Sequence, residues 1–353
     1  MFPLAFPIFV LKRVGKPRLR VLDPFCGRGT TIFASRLSGH RAYGIDSSPI
    51  AIAIARAKLA FTTEDDVLSL AENILEQETN ISTPKGDFWQ LAYAHSTLRQ
   101  VCALRQGLRG LRSEPASVLR AVCLGALHGP LTKTVKTRSY FSNQMPRTFA
   151  SKPDYSVRYW RAHKLEPVAV DVLDIISKRV ARLELETLPK VRGNSRVCTA
   201  DARLARGYAF LPATIDLVIT SPPYYGMTTY IADQWLRNWF LGGPPKVTYG
   251  EKCQLSHQSP DAFAQSLSQV WDQVGDRLSP TGKMYVRFGA IPSRNRDAKS
   301  IMKSSLEHSR FDWRICRMRK AESAASGKRQ ACHMGRRVKS AAIEEHDYEI
   351  SLN

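Results

Sequence analysis

The chain predicts an open α/β fold: a parallel sheet of the nucleotide-binding type, interrupted by a mainly helical insertion. Three observations predict it. Near the start, a short strand runs through a glycine turn into a helix, then into a second strand ending in an acid. In the second half, a strongly apolar strand runs into a Ser-Pro-Pro-Tyr corner. Between them the apolar residues recur at helical spacing. A length of 353 residues suits one large α/β domain or two modest ones, and 43% hydrophobic residues allow a sizeable core.

Taken in order, Arg18 to Asp23 reads as a short buried strand. It ends at Asp23-Pro24-Phe25-Cys26-Gly27-Arg28-Gly29-Thr30-Thr31, and Ile32 to Leu37 has helical character. Ala42 to Asp46 is the second strand; Ser47-Ser48-Pro49 then opens an Ala/Ile helix to about Leu59. From Thr63 to Glu186 the character changes. Asp66–Glu78, Phe88–Leu111, Ala116–Leu127 and Pro167–Leu185 read as helices; in the last, Val172, Ile176, Val180 and Leu183 share one face. Lys133 to Lys164 is a basic, aromatic stretch whose only acid is Asp154. The α/β pattern resumes with strands at Arg196–Asp201, Ile215–Thr220 and Lys283–Phe288, a helix carrying Trp235, Trp239 and Phe240, and two strand-like stretches near Trp313 and Tyr348.

Charge narrows the partners. Lys and Arg number 52 against 31 Asp and Glu, a net +21, which points to a polyanion, nucleic acid being the commonest. A membrane surface is the competing reading, but no basic amphipathic stretch flanks a lipid-seeking segment and no apolar run reaches spanning length. The seven cysteines are odd in number and scattered without a Cys-x-x-Cys, which argues against a disulfide framework or a zinc site and suits a reducing compartment. The apolar opening, Met1 to Val10, lacks the basic segment and cleavage site of a signal peptide. The expectation is a cytoplasmic, nucleic-acid-associated protein with no metal site.

Two corners carry the chemistry. Gly27-x-Gly29 at a strand end lets backbone approach a ligand and frees amide donors; the alternative is a plain tight turn. Asp46 stands where nucleotide folds place a ribose-binding acid, or it caps the next helix, a task Ser47 or Ser48 could equally perform. In Thr220-Ser221-Pro222-Pro223-Tyr224 two prolines remove amide donors and leave a row of acceptors beside an aromatic ring. That arrangement suits a planar group bearing an exocyclic amine.

Asp23-Pro24-Phe25-x-Gly27-x-Gly29-Thr30-Thr31 resembles the cofactor motif of S-adenosylmethionine-dependent DNA amino-methyltransferases. Ser221-Pro222-Pro223-Tyr224 resembles their catalytic motif, in the serine form typical of cytosine-N4 enzymes of restriction–modification systems; adenine-N6 enzymes usually carry Asp at the position of Ser221. The resemblance covers Met1–Leu59 and Arg196–Phe288 well and the insertion poorly. The fold it implies is the Rossmann-like methyltransferase sheet. It divides the chain into a cofactor half (1–62), an insertion and candidate DNA target-recognition region (63–190), and a second catalytic part with a basic C-terminal segment (191–353). Many cytosine-N4 enzymes place the catalytic motif before the glycine motif; here the glycine motif comes first, which leaves the place of the target-recognition region open.

The resemblance also implies residue roles. Ser221, Pro222, Pro223 and Tyr224 would be catalytic. Ser221 Oγ and the Pro222 carbonyl would accept the amine hydrogens of a flipped-out cytosine, and Tyr224 would stack on it. Phe6, Asp23, Phe25, Gly27, Gly29, Thr30, Thr31, Asp46, Ser47 and Asp201 would contact S-adenosylmethionine: Asp46 at the ribose, Asp201 at the adenine amine, Asp23 near the amino-acid end. Asp201 could instead be an ordinary turn residue. Cys26 reads as a small buried filler.

Lys133, Arg138, Arg147, Lys152 and Arg158 are candidate contacts to double-stranded DNA, as are Arg317, Lys328 and Arg329 in the C-terminal cluster. For the first group, a solvated loop packing its rings on the insertion core is an equal reading. The expected function is methyl transfer to cytosine N4, protecting DNA beside a cognate restriction endonuclease encoded nearby. The alternatives are an adenine-N6 or RNA base-amine methyltransferase, and a non-catalytic nucleic-acid-binding protein that keeps the fold.

Overall fold

The computed structural model describes residues 2–77, 81–131, 138–145, 152–191, 193–226, 231–247, 255–289, 297–321 and 345–353. In chain order the first elements are α1 (Ala5–Val14), β1 (Arg20–Asp23), α2 (Thr30–Leu37), β2 (Arg41–Asp46) and α3 (Pro49–Ala57). Six helices follow: α4 (Glu64–Gln77), α5 (Asp87–Ala92), α6 (His95–Gly107), α7 (Glu114–Ala126), α8 (Pro153–Ala162) and α9 (Val172–Val180). Then come β3 (Arg196–Thr199), β4 (Ile215–Thr220), α10 (Trp235–Phe240), α11 (Pro260–Gly275), β5 (Leu278–Gly289), α12 (Ala298–Glu307), β6 (Trp313–Lys320) and β7 (Glu345–Leu352).

The chain divides into two compact units, one of residues 1–55, 189–229 and 253–353, the other of 56–188 and 230–252. The first unit holds a seven-stranded sheet in the order β3-β2-β1-β4-β5-β7-β6. β3, β2, β1, β4 and β5 are parallel neighbours, while β7 runs antiparallel to both β5 and β6. This is the Rossmann order 3-2-1-4-5 extended by an antiparallel pair, and it fixes the fold class as Rossmann-like α/β. Strand order reverses between β1 and β4, the switch point at whose carboxyl ends open α/β sheets place a ligand crevice.

Both sheet faces are buried, which explains the near-continuous apolar runs of the central strands. On one face α1 packs Phe6, Val10 and Leu11 against Val21, Leu217, Ile219 and Tyr285, together with Ala34 of α2. The other face carries Leu22, Val218, Met284 and Val286 under Phe263, Leu267, Val270 and Trp271 of α11 and Ile301 and Met302 of α12. Trp271 is fully buried, and its indole nitrogen donates to Ser305 Oγ at 3.0 Å. The apolar opening of the chain is therefore a core helix.

The second unit is helical. Val67, Ala71 and Ile74 bury one stripe of α4. Gly107 on α6 lets Ile74 approach so closely that an added Cβ would lie 2.6 Å from its Cγ2. Ser113 caps α7 and Asp171 caps α9 through their side chains. The expected Phe88–Leu111 helix is two helices, α5 and α6, separated by extended backbone at Tyr93 and Ala94. The expected Pro167–Leu185 helix starts only at Val172, after its Asp171 cap. Val172, Ile176 and Val180 are buried as their spacing predicts, but α9 tightens into a 3-10 turn after Val180 and leaves Leu183 42% exposed. Residues 230–252 belong to this helical unit, where Trp235 and Trp239 of α10 meet Trp89 at ring distances of 5.7 and 4.5 Å. No helix among the described residues is long and apolar enough to cross a membrane.

Candidate active site

The two corners expected from sequence lie side by side, because β1 and β4 are parallel neighbours and each corner follows the carboxyl end of its strand. A hydrogen bond joins them: Thr220 Oγ1 donates to Asp23 Oδ1 at 2.6 Å. A second tie lies beneath, where Thr31 Oγ1 on α2 donates to the Ile219 carbonyl at 3.1 Å.

The glycine corner is held by its own backbone. Gly29 N donates to the Cys26 carbonyl at 2.7 Å and Cys26 N to the Ile45 carbonyl at 2.9 Å. Gly27 (φ 50°) and Gly29 (φ 77°) both occupy the left-handed region. They differ in surroundings: an added Cβ at Gly29 would lie 3.0 Å from Ala55, whereas one at Gly27 meets nothing within 4 Å. Cys26 is 4% exposed, with Sγ seated where a side chain on Gly44 would be, which is the filler expected.

Asp46 and Asp23 accept from amides of this loop, and the third expected carboxylate, Asp201, follows β3. Asp46 ends β2 and accepts from Gly27 N at 2.9 Å through one oxygen and Ser48 N at 2.8 Å through the other. The cap for α3 is Ser48, whose Oγ accepts from Ala51 N. Burial raises the Asp46 pKa against these two hydrogen bonds. Asp23 is 1% exposed; Oδ1 accepts from Thr220 and from Phe25 N, while Oδ2 has no hydrogen-bond partner among the described residues. Loss of water dominates there, and the Asp23 carboxyl is pushed up to about 6 despite the hydrogen bonds that favour its charged form. Asp201, two residues beyond β3, is held by Arg203 through paired contacts of 2.6 to 3.2 Å. Burial raises its pKa, but the Arg203 hydrogen bonds and charge outweigh burial and leave it below the usual range.

At the second corner Ser221 and Tyr224 are half-buried, Pro222 is buried and Pro223 exposed. The Tyr224 ring meets Phe288 edge-on at 5.9 Å, and its hydroxyl donates to Glu345 Oε1 at 2.9 Å. Burial, then Glu345, raises the Tyr224 pKa, and nearby Ser221 opposes that rise. Glu345 was not among the residues expected from sequence.

Of the other expected cofactor contacts, Ser47 is exposed, Thr30 and Phe25 are half-buried, and Thr31 is fully buried with its hydroxyl engaged by Ile219. Phe6 is 4% exposed and lies under the Arg287 guanidinium at 4.3 Å; Arg287 is itself paired with Asp347 at 2.6 Å in a buried bridge.

The expected nucleic-acid contacts divide. Lys133, Arg147, Lys328 and Arg329 lie outside the described residues. Lys152 and Arg158 flank and line α8 with exposed side chains, Arg138 is half-buried, and Arg317 is exposed on β6. The rings of the Lys133–Lys164 stretch are partly core: Phe141 and Trp160 are fully buried, and Tyr140 lies under Arg179 at 4.8 Å. β6 is the outermost strand, and Arg314 to Lys320 are all exposed along it.

No protein-family model matches the sequence, and no curated protein matches it. Solved structures similar to the chain include TrmN from Thermus thermophilus, at 10% identity and a TM-score of 0.37, over 98% of this chain and 48% of that one. They also include the rRNA methyltransferase aviRa from Streptomyces viridochromogenes, at 13% identity and a TM-score of 0.36, over 99% and 85%. A third is a TehB-like SAM-dependent methyltransferase from Corynebacterium glutamicum, at 9% identity and a TM-score of 0.34, over 98% and 88%. This chain thus spans less than half the length of the Thermus protein.

Proposed function

We propose that the chain is an S-adenosylmethionine-dependent methyltransferase acting on the exocyclic amine of a nucleobase, with cytosine N4 in DNA as the target. The observation that carries this reading is the 2.6 Å hydrogen bond between Thr220 and Asp23. It brings the glycine corner and the Ser-Pro-Pro-Tyr corner to one crevice, as a direct transfer between two ligands requires.

The residues at the crevice suit the cofactor. Gly27 leaves open space above the loop, Asp46 retains lone pairs for ribose hydroxyls, and Asp23 Oδ2 is a buried acceptor awaiting a donor. When bound, S-adenosylmethionine supplies a methyl group on a sulfonium centre. The chain's own work is on the amine. Cytosine N4 is a poor nucleophile because its lone pair is delocalised into the ring. Ser221 Oγ and the Pro222 carbonyl accept its two hydrogens and turn the lone pair out of the ring plane. Tyr224, fixed by Phe288 and Glu345, presents its ring to the base. Positioning and fixed dipoles then supply most of the rate.

Duplex DNA is the proposed partner, its target base flipped into the crevice and its phosphates contacted by exposed cations of the same unit such as Arg317; Lys152 and Arg158 are exposed candidates in the helical unit. A cognate restriction endonuclease would recognise the same site. The test is incubation with labelled S-adenosylmethionine and DNA or RNA, followed by nucleoside mass spectrometry. N4-methylcytosine is the expected product; N6-methyladenine or a methylated RNA base would change the target, and no methylated nucleoside would remove the reading. Ser221→Ala should lower turnover at least about 100-fold while cofactor affinity stays within about twofold, because in this reading the hydroxyl serves the base and its neighbour Tyr224 and not the cofactor.

A further inference from the structure

Glu345 reaches the site from the far end of the chain. It opens β7, 121 residues after Tyr224, and is 8% exposed. Its backbone is fixed by register with Gly289 on β5 and by the Ala321 amide, which donates to its carbonyl at 2.8 Å. A buried carboxylate held by a tyrosine hydroxyl on a catalytic motif has a chemical consequence beyond holding the ring.

Donor directions line up. The Tyr224 hydroxyl gives its hydrogen to Glu345 Oε1, so Tyr224 Oη is left as an acceptor toward the crevice, where Ser221 is its neighbour. Ser221 stands three residues before Tyr224 on the same corner, and a Ser221 hydroxyl that donates to Tyr224 Oη keeps its lone pairs for the base. An amine that has gained a methyl group carries a positive charge and must release a proton, and this corner is closed to water on the Pro222 side by burial.

Resting on the function proposed above, we infer that Ser221, Tyr224 and Glu345 form a relay that carries that proton from the methylated amine to Glu345. The N4–H bond breaks and its electron pair stays on nitrogen. The proton passes to Ser221 Oγ, the Ser221 hydroxyl proton to Tyr224 Oη, and the Tyr224 hydroxyl proton to Glu345 Oε1. The carboxylate ends protonated and the base neutral, so charge and atoms balance. Glu345 acts through its neighbours and is a positioning residue in that sense; Ser221 meets the amine.

The groups around Glu345 bear on any pH effect. On β5, Arg287 lies near Tyr224 and is neutralised by Asp347, which sits two residues along β7 and also meets Arg319 of β6 at 3.3 Å. His346 follows Glu345 on the opposite sheet face, and Tyr224 is the contact from the loop.

The experiment compares single-turnover methylation by the full chain with Glu345→Gln and Tyr224→Phe. Glu345→Gln keeps an acceptor for the Tyr224 hydroxyl, so the ring stays held while the proton acceptor is lost. The expected result is a fall of about 100-fold near neutral pH in each variant, with the loss shrinking as pH rises and solvent base takes over. The double variant should fall no further than either single one. Fluorescence of 2-aminopurine at the target position, which reports base flipping, should match wild type. Equal rates and pH profiles in wild type and both variants would overturn the relay, as would a loss matched by lost flipping, which would mark a purely structural role. A wild type that methylates no nucleoside would instead defeat the proposed function.

Discussion

Asp23 is a carboxyl group cut off from water, and its titration is a stability statement. Its folded pKa of about 6 lies above the ordinary 3.8, so the folded state binds its proton more tightly than the unfolded chain. The stabilisation from protonated Asp23 is complete below about pH 4 and is lost as pH rises through about 6. Each pH unit between the two values corresponds to about 1.4 kcal/mol, roughly 3 kcal/mol across the window. Asp23→Asn removes the titration. Measured by urea unfolding, the stability difference between variant and wild type should move in the variant's favour by roughly 3 kcal/mol from about pH 4 to about pH 8, whatever fixed cost the amide carries. A pH-independent difference would mean that Asp23 is not desolvated. Residue identity at this scale was legible where neighbours in sequence are neighbours in space. Asp23, Gly27, Gly29 and Asp46 all belong to one β–α–β unit, and all border the crevice. Glu345 was not legible. It arrives by antiparallel pairing of a strand from the other end of the chain, and nothing local to it signals Tyr224.

At the scale of elements, the strand-to-helix turn contains two glycines with different duties. Gly29 needs both its left-handed backbone and the space that Ala55 of α3 leaves it. Gly29→Ala should therefore destabilise the fold by about 2 kcal/mol or more, because left-handed strain of about 1–2 kcal/mol adds to a steric clash. At Gly27 strain acts alone, and the new methyl group enters the open crevice. Gly27→Ala should lose about 1 kcal/mol of stability but weaken S-adenosylmethionine binding by at least about tenfold in titration calorimetry. Equal stability losses with unchanged cofactor affinity would place the cofactor elsewhere. Elements that follow one clean period were read correctly, as β4 was from Ile215 to Thr220. Those missed or read wrongly mix signals. Two early prolines mask α1, whose core face carries Phe6 and Val10. The cation-rich run of α8 hides two buried positions, Ser156 and Trp160, the latter with its indole donating to the Gln144 carbonyl. Apolar continuity also hid the break at Tyr93, which turns its hydroxyl to the Leu127 carbonyl instead of prolonging a helix.

Over the whole molecule, charge sets the mode of association. A net +21 on 353 residues makes binding to a nucleic acid release many counterions, so affinity should fall steeply with salt. Arg314 and Arg317 on β6 are exposed and in no ion pair among the described residues. Replacing both with Gln should weaken binding to DNA of any sequence and lower the log–log salt slope by about 2, read by fluorescence anisotropy. A flat salt dependence in wild type would remove electrostatics from the account, and an unchanged slope in the variant would assign the contacts to other cations. The sequence gives net charge directly but not its placement: which arginines are free depends on which acids the sheet brings near them. Glu349 holds Arg13 and Lys283, and Asp347 holds Arg287 and Arg319, all through tertiary contacts.

The same outermost strand has a second consequence. Among the described residues no strand pairs with the outer edge of β6, a geometry that invites a second copy to extend the sheet. Cations along its exposed length, above all Arg314 and Arg317, make two such rims repel one another. Ile315 and Met318, 36% and 45% exposed, would otherwise favour sticking. A cell that neutralised this rim without covering it would trade solubility for fibre growth, so the cations guard the free protein before any ligand arrives.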